Sequence, residues 1–350
     1  VPEKFRFIEE QDIEGRRTRS AWVWENYPRQ WQKFMTRRWT EFEAKAAAAL
    51  HSVGREIMLN SCEAKSIFEA GFYFGFDTRG FGKAKVDYLL VESVATSCNL
   101  IYGTEDYPER AHQIYKCVQE LTAALPCLKV ITMTGVCDPV ESFNSIRHAP
   151  TMLERDIYFC ANQSVILPEG EKRCADGMLV CLGDSLKHEE WRLLTQFVEE
   201  SVNFPAVKAE GYAWLYSDAV QDNLPDSFMK YGTVTTYLQA CAMEYRGVML
   251  PAICRSENLA LIQDRPLFVP NFDLLSAEEW NAVKARAEVT VLMGNLQNCT
   301  LPENAQVAVQ TPITDGYTLA LIVMNDNEKR EPEAIAGVPQ TFDMLRYFST

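Results

Sequence analysis

Lys85-Val-Asp-Tyr-Leu-Leu-Val-Glu92-Ser93 reads as a buried β-strand that ends on a carboxylate. Gly82 precedes the apolar run and polar residues follow it, which suits a strand packed on both faces. A Glu at the C-terminal end of such a strand stands where barrel enzymes keep their chemistry. An ordinary strand with a polar residue after it gives the same pattern, so the neighbouring segments decide its meaning.

Upstream, Arg55–Glu63 is a second strand that ends on Asn60, Ser61 and Glu63. Before it, Trp31 to Val53 carries Trp31, Phe34, Met35, Trp39, Phe42, Ala46, Leu50 and Val53 in a stripe at steps of three and four. That spacing predicts a helix with a core-facing aromatic stripe, stopped by Gly54. Arg19-Ser-Ala-Trp22-Val-Trp24-Glu25 reads as a short strand ending on a carboxylate and closed by Tyr27-Pro28. Downstream of Glu92 come a loop with Tyr102, a helix over 108–125 and a strand over 128–134 that runs on to Asp138 and Glu141. Residues 142–175 read as irregular, 176–182 as a strand ending at Gly183-Asp184, and 186–202 as a helix.

Strand and helix thus alternate five times over residues 19–203, with polar strand ends at Glu25, Glu63, Glu92, Asp138 and Asp184. Strands separated by helices predict a parallel sheet, because a parallel pair needs a crossover. The fold class expected is α/β, with residues 1–204 a (β/α) barrel portion, either whole or only its C-terminal part. An open doubly wound sheet is the alternative. Residues 205–299 read as a smaller α/β domain of flavodoxin-like or amidotransferase-like kind, and 300–350 as a β-rich appendage. Within the smaller domain the expectations are a helix over 225–245, short strands at 247–251, 265–270 and 289–294, and a capping box at Ser276-Ala-Glu-Glu279.

Composition narrows the function classes. The chain has 350 residues with 47% hydrophobic and 23% charged residues, which is globular, and two or three domains are expected. A net charge of -14 argues against nucleic acid or an anionic membrane as partner. Eleven cysteines at irregular spacing, with no C-x-x-C pair, read as buried free thiols of a reducing compartment. The four histidines give no triad and no metal pattern, so neither metal nor other cofactor is expected. No apolar stretch spans a bilayer and no signal-peptide pattern is read, so a cytoplasmic location is expected. The start at Val1, without a methionine, fits a processed chain or a piece of a longer one.

The run Pro266-Leu-Phe-Val-Pro270-Asn271-Phe-Asp273-Leu-Leu-Ser276-Ala-Glu-Glu279-Trp280, with Val289–Gly294 after it, resembles the amidotransferase-like trimerisation domain of barrel β-galactosidases. The resemblance covers about residues 206–300, and Cys254 lacks the Gly-rich elbow of a true amidotransferase nucleophile. It implies a scaffolding domain, a homo-oligomer, and a preceding glycoside hydrolase barrel whose last five strands are residues 19–203. Counted that way, Glu25 ends strand four, Glu92 strand six, and Asp138 and Glu141 follow strand seven. The family's Asn-Glu dipeptide is replaced at strand four by Trp24-Glu25-Asn26.

Glycoside hydrolysis needs two carboxylates flanking the scissile bond. Glu25, Asp138 and Glu92 are therefore the candidate catalytic residues. Trp22, Trp24, Asn60, Glu63, Glu141, Asp184 and Tyr102 are candidate carbohydrate contacts, the aromatic ones by stacking on sugar rings. A protein that keeps the scaffold but has lost the acid/base pair is the alternative. An enzyme of another class on an open sheet would need a phosphate loop or dinucleotide fingerprint, and the sequence has neither.

Overall fold

The computed structural model describes residues 12–62, 66–92, 107–137, 144–181, 183–203, 209–297 and 299–325. The chain is mixed α/β. Its described strands form two sheets, one of four strands and one of eight.

Helix α1 (Ile13–Asn26) starts at Asp12, whose carboxylate accepts from Gly15 N at 2.9 Å, and α2 (Pro28–His51) follows after Tyr27. The strand expected at Arg19–Glu25 is thus helix. The three-residue alternation Trp22-Val-Trp24 is too short to separate the two periods, and the Asp12 cap with Glu14 in the first turn favours the helix. The phase of α2 also differs from expectation. Its buried residues are Gln32, Glu43 and Ala47, whereas Trp31, Phe34, Phe42 and Leu50 are exposed.

The parallel sheet then builds up in chain order. Strand β1 (Met58–Cys62) leads through the short α3 (Ile67–Glu69), a π-helical turn at Ala70–Phe74 and α4 (Thr78–Ala84) to β2 (Tyr88–Glu92). Helix α5 (Tyr107–Ala124) leads on to β3 (Lys129–Gly135). Gly75 closes the π turn at φ 74°, a left-handed conformation, and a Cβ there would lie 2.6 Å from Met35 Cβ of α2.

Residues 144–175, expected to be irregular, hold α6 (Ser145–His148), α7 (Pro150–Ala161), β4 (Ser164–Leu167) and β5 (Gly170–Arg173). Asn144 caps α6 and Pro150 opens α7 at its first turn, signals that a reading for apolar periodicity passes over. The chain returns to the first sheet at β6 (Gly177–Cys181) and continues into α8 (His188–Asn203).

The first sheet has the order β1-β2-β3-β6, all parallel. Leu89, Val91, Val130, Met178 and Val180 point to one face and join the apolar clusters that α4, α5, α7 and α8 complete. The alternating residues Met58, Leu90, Met133 and Leu179 join none of the clusters, and Met58 and Leu179 are 56% and 41% exposed.

The second sheet, which already holds β4 and β5, continues with β7 (Ala213–Tyr216), followed by α9 (Asp218–Tyr231) and α10 (Thr236–Tyr245). The single helix expected over 225–245 is broken by Gly232 at φ 67°. Strands β8 (Ala252–Arg255) and β9 (Leu267–Pro270) follow, then α11 (Ala277–Lys284) and β10 (Thr290–Asn295). The short strand expected at 247–251 falls instead just after Pro251. The capping box is present as expected: Glu279 N donates to Ser276 Oγ at 3.2 Å and Ser276 N to Glu279 Oε2 at 2.9 Å.

Strands β11 (Ala305–Thr314) and β12 (Tyr317–Met324) pair antiparallel and extend the sheet from β10. The full order is β11-β12-β10-β9-β7-β8-β4-β5. This sheet therefore takes β4–β5 from before residue 204 and β11–β12 from after residue 300. Helices cover it on both faces. Trp214, Ile253 and Phe268 belong to the cluster shared with α5 and α10, while Leu215, Cys254 and Val269 pack with Leu259, Ile262 and Val283.

Helix α5 lies between the sheets and is buried even at its polar positions: Lys116, Gln119, Glu120 and Thr122 are at most 1% exposed. Lys116 Nζ donates to Gln119 Oε1 at 2.6 Å and pairs with Glu244 Oε1 at 2.7 Å. Trp214 Nε1, on β7, donates to the same Gln119 oxygen at 2.8 Å. Each buried polar group named here has a partner, as the low dielectric demands. No described helix is long and apolar enough to cross a membrane.

Candidate functional site

The C-terminal edge of the parallel sheet brings together part of the expected site. Asn60 near the end of β1 and Glu92 at the end of β2 project to the same face, and Asn60 Nδ2 donates to Glu92 Oε2 at 2.7 Å. This is the face on which Met58 and Leu179 are exposed. Cys181 ends β6 on that face too, across Gly135, its register partner on β3. Burial pushes the Cys181 thiol up, and the Glu92 carboxylate adds to the shift. Gly135, on the strand between them, carries no side chain. A carboxylate held by an amide in this way can accept from a ligand hydroxyl through its remaining lone pairs.

Other expected residues fall elsewhere. Glu25 is exposed on α1 and ends no strand, which removes the argument that paired it with Glu92. Trp22 packs on Tyr27 at 5.4 Å between ring centres, and Trp24 packs on Phe72 at the same separation. Both belong to the helical layer rather than to a strand end. Asp184 is exposed in the turn after β6. Glu63, Tyr102, Asp138 and Glu141 lie outside the described residues.

A second concentration of charge was not anticipated. Arg79 on α4 reaches Asp222 at 2.9 Å, Asp77 at 3.3 Å and Asp218 at 3.5 Å. Arg255, at the end of β8, bonds Asp218 at 2.7 Å and lies 5.3 Å above the Tyr216 ring. Tyr216 OH donates to Asp218 at 3.0 Å. Burial, and then Asp218, push the Tyr216 hydroxyl far above its ordinary range. A cleft of about 460 Å³ opens beside this network, lined by Arg29, Lys33, Phe72, Arg79 and Asp222 among others. Arg79 and Arg255 are matched by carboxylates of their own, so the network fixes α4 to the second sheet. Sequence offered no sign of it, because Arg79 and Asp222 are 143 residues apart.

The C-terminal end of β7 is closed by α11: Ser217 Oγ donates to Glu279 Oε1 at 2.7 Å. Among the described residues no group of three or more His, Cys, Asp or Glu side chains is arranged to hold a metal ion. Among the described cysteines Cys117, Cys137, Cys160, Cys174, Cys241 and Cys254 are buried, as expected from their apolar settings, whereas Cys127 is exposed and Cys181 and Cys299 are half-buried. Comparison with protein-family models, with curated proteins and with solved structures returned no match.

Proposed function

We propose that the chain is part of a carbohydrate-active protein, with Glu92 as a carboxylate of the sugar site and Asn60 holding it in place. The observation that carries this reading is the Asn60–Glu92 pair at the C-terminal edge of a sheet whose strands run in chain order with every clustered helix on one face. Sequential order with one-sided helices is the arrangement of a (β/α) barrel segment, whose site lies at that edge. A doubly wound sheet would place helices on both faces. This order supports the barrel reading, whole or C-terminal part, which would also account for the apolar residues on the open face.

The second sheet fits the scaffolding role that the β-galactosidase resemblance implies. Its central order β8-β7-β9-β10 is that of flavodoxin-like sheets, where ligands enter at the switch point between the first and third strands. Here Ser217 and Glu279 are bonded across that point. Glycoside hydrolysis would draw its second carboxylate from Glu63, Asp138 or Glu141, which follow β1 and β3 in sequence.

The test is turnover of a panel of aryl glycosides, β-galactosides first, with Glu92→Gln and the unchanged protein side by side. General acid–base or nucleophilic carboxylates contribute about 100-fold or more, so a loss of that size is expected. Equal turnover in both proteins overturns the assignment of Glu92. Calorimetric binding of galactosides without turnover moves the chain to the non-catalytic carbohydrate-binding reading.

A further inference from the structure

Beside the helix-covered face of the same two strands lies a partly open pocket of about 200 Å³. Trp39, Phe76, Phe81 and the exposed Phe42 form its aromatic walls, Leu59 and Leu89 its floor, Asn60 and Ser61 a polar border, and Glu43 is the one ionisable residue among those that line it. Trp39 stacks on Phe76 at 4.7 Å and meets Phe42 edge-on at 6.1 Å, so the aromatic wall is continuous. Glu43 is 2% exposed, and neither of its carboxyl oxygens has a hydrogen-bond partner. Burial alone pushes the carboxyl up to about 7.

A buried carboxyl without a donor is costly, and native proteins rarely leave one so. A proton relieves the charge, yet it leaves acceptor capacity unused on both oxygens. A small cation with N–H donors relieves both at once: it supplies the hydrogen bonds, and its charge faces the aromatic rings. No Lys, Arg or His lines the cavity to do this from within the described chain. With roughly 30 Å³ of liquid volume per water-sized unit, the space suits a ligand of on the order of six or seven non-hydrogen atoms.

We infer that this cavity is a binding site for a small primary alkylammonium ion, its ammonium group on Glu43 and its alkyl body against Trp39, Phe76 and Leu89. The ammonium site centres on Glu43 of α2 rather than on Glu92, although Asn60, which bonds Glu92, also borders the pocket.

The experiment is calorimetric titration of the full chain at pH 8 with isoamylammonium, and with isoamyl alcohol as its neutral counterpart of equal size. The ammonium ion binds at least tenfold more tightly than the alcohol, and Glu43→Gln, checked for its fold by circular dichroism, removes that preference. The unchanged protein supplies a second readout that needs no variant. Affinity for the ammonium ion rises about tenfold between pH 6 and pH 8 as Glu43 ionises through about 7. Equal binding of amine and alcohol overturns the inference, as does a flat pH profile. Absence of amine binding at millimolar concentration, with Glu43→Gln simply raising the melting temperature, also overturns it: the carboxyl is then a strained core residue.

Discussion

Lys116 on α5 and Glu244 on α10 form an ion pair of 2.7 Å whose side chains are 0% and 7% exposed, so a charged contact lies within the core that joins the two sheets. Truncating one partner strands the other charge in a low dielectric, which typically costs about 3–5 kcal/mol. Lys116→Met is expected to destabilise by that amount in urea denaturation. Lys116→Met with Glu244→Gln recovers a large part of the loss, because the second change removes the orphaned charge.

Glu120, fully buried one turn further along α5, accepts from Thr236 Oγ1 at 2.6 Å, yet burial holds its carboxyl at about 7. Its folded pKa lies above the unfolded value, so the native state binds the proton more tightly. Its contribution is complete below about 4.5 and is lost as pH rises through about 7. A shift of this size corresponds to roughly 3 kcal/mol at most. Glu120→Gln should therefore melt at a temperature that depends less on pH between 5 and 8 than that of the unchanged chain, with the gap widening toward pH 8. Parallel melting curves of both proteins across that range check it.

Gly75 has φ 74° and no room for a Cβ beside Met35. Gly75→Ala meets both the left-handed backbone cost and a backbone-adjacent clash, and about 1–3 kcal/mol of destabilisation is expected. Gly54, at φ 70° with open space around it, provides the control: Gly54→Ala carries only the conformational cost. Thermal denaturation of both variants separates clash from conformation.

Asn60 is exposed and its visible task is to hold Glu92. Asn60→Ala should leave the melting temperature within a degree or two, since surface changes fall mostly within about 0.5 kcal/mol. Under the carbohydrate reading it nevertheless weakens sugar binding or turnover by about tenfold, measured on the same aryl glycosides as Glu92→Gln.

How much of this could be read from sequence varies with the kind of signal. Strands β2, β9 and β10 were legible because their apolar runs are bounded by turn residues, and the Ser276–Glu279 capping box was legible because the pattern is wholly local. The parallel pairing of β1, β2 and β3 followed from the helices between them. The Trp22–Glu25 segment was misread because three alternating residues fit a helix face as well as a strand. Within α2 the aromatic stripe set the wrong phase: the covered side runs through Glu43 and Ala47. Glu43 stands four residues after Trp39 and four before Ala47, a spacing that could have marked it as inward-facing. The Arg79–Asp222 and Lys116–Glu244 contacts join segments more than a hundred residues apart, and no local pattern encodes such a meeting.

The β4–β5 hairpin has a practical consequence for anyone who would cut the chain. Ser164-Val-Ile-Leu167 is buried along its whole length and pairs with β8 on one side and β5 on the other. A fragment ending at residue 204 would keep this apolar strand and lose the neighbour it lies against. Its free edge would offer unpaired amides and carbonyls to the next copy. Such a fragment should collect in inclusion bodies, whereas the cut placed before Ser164 should spare it.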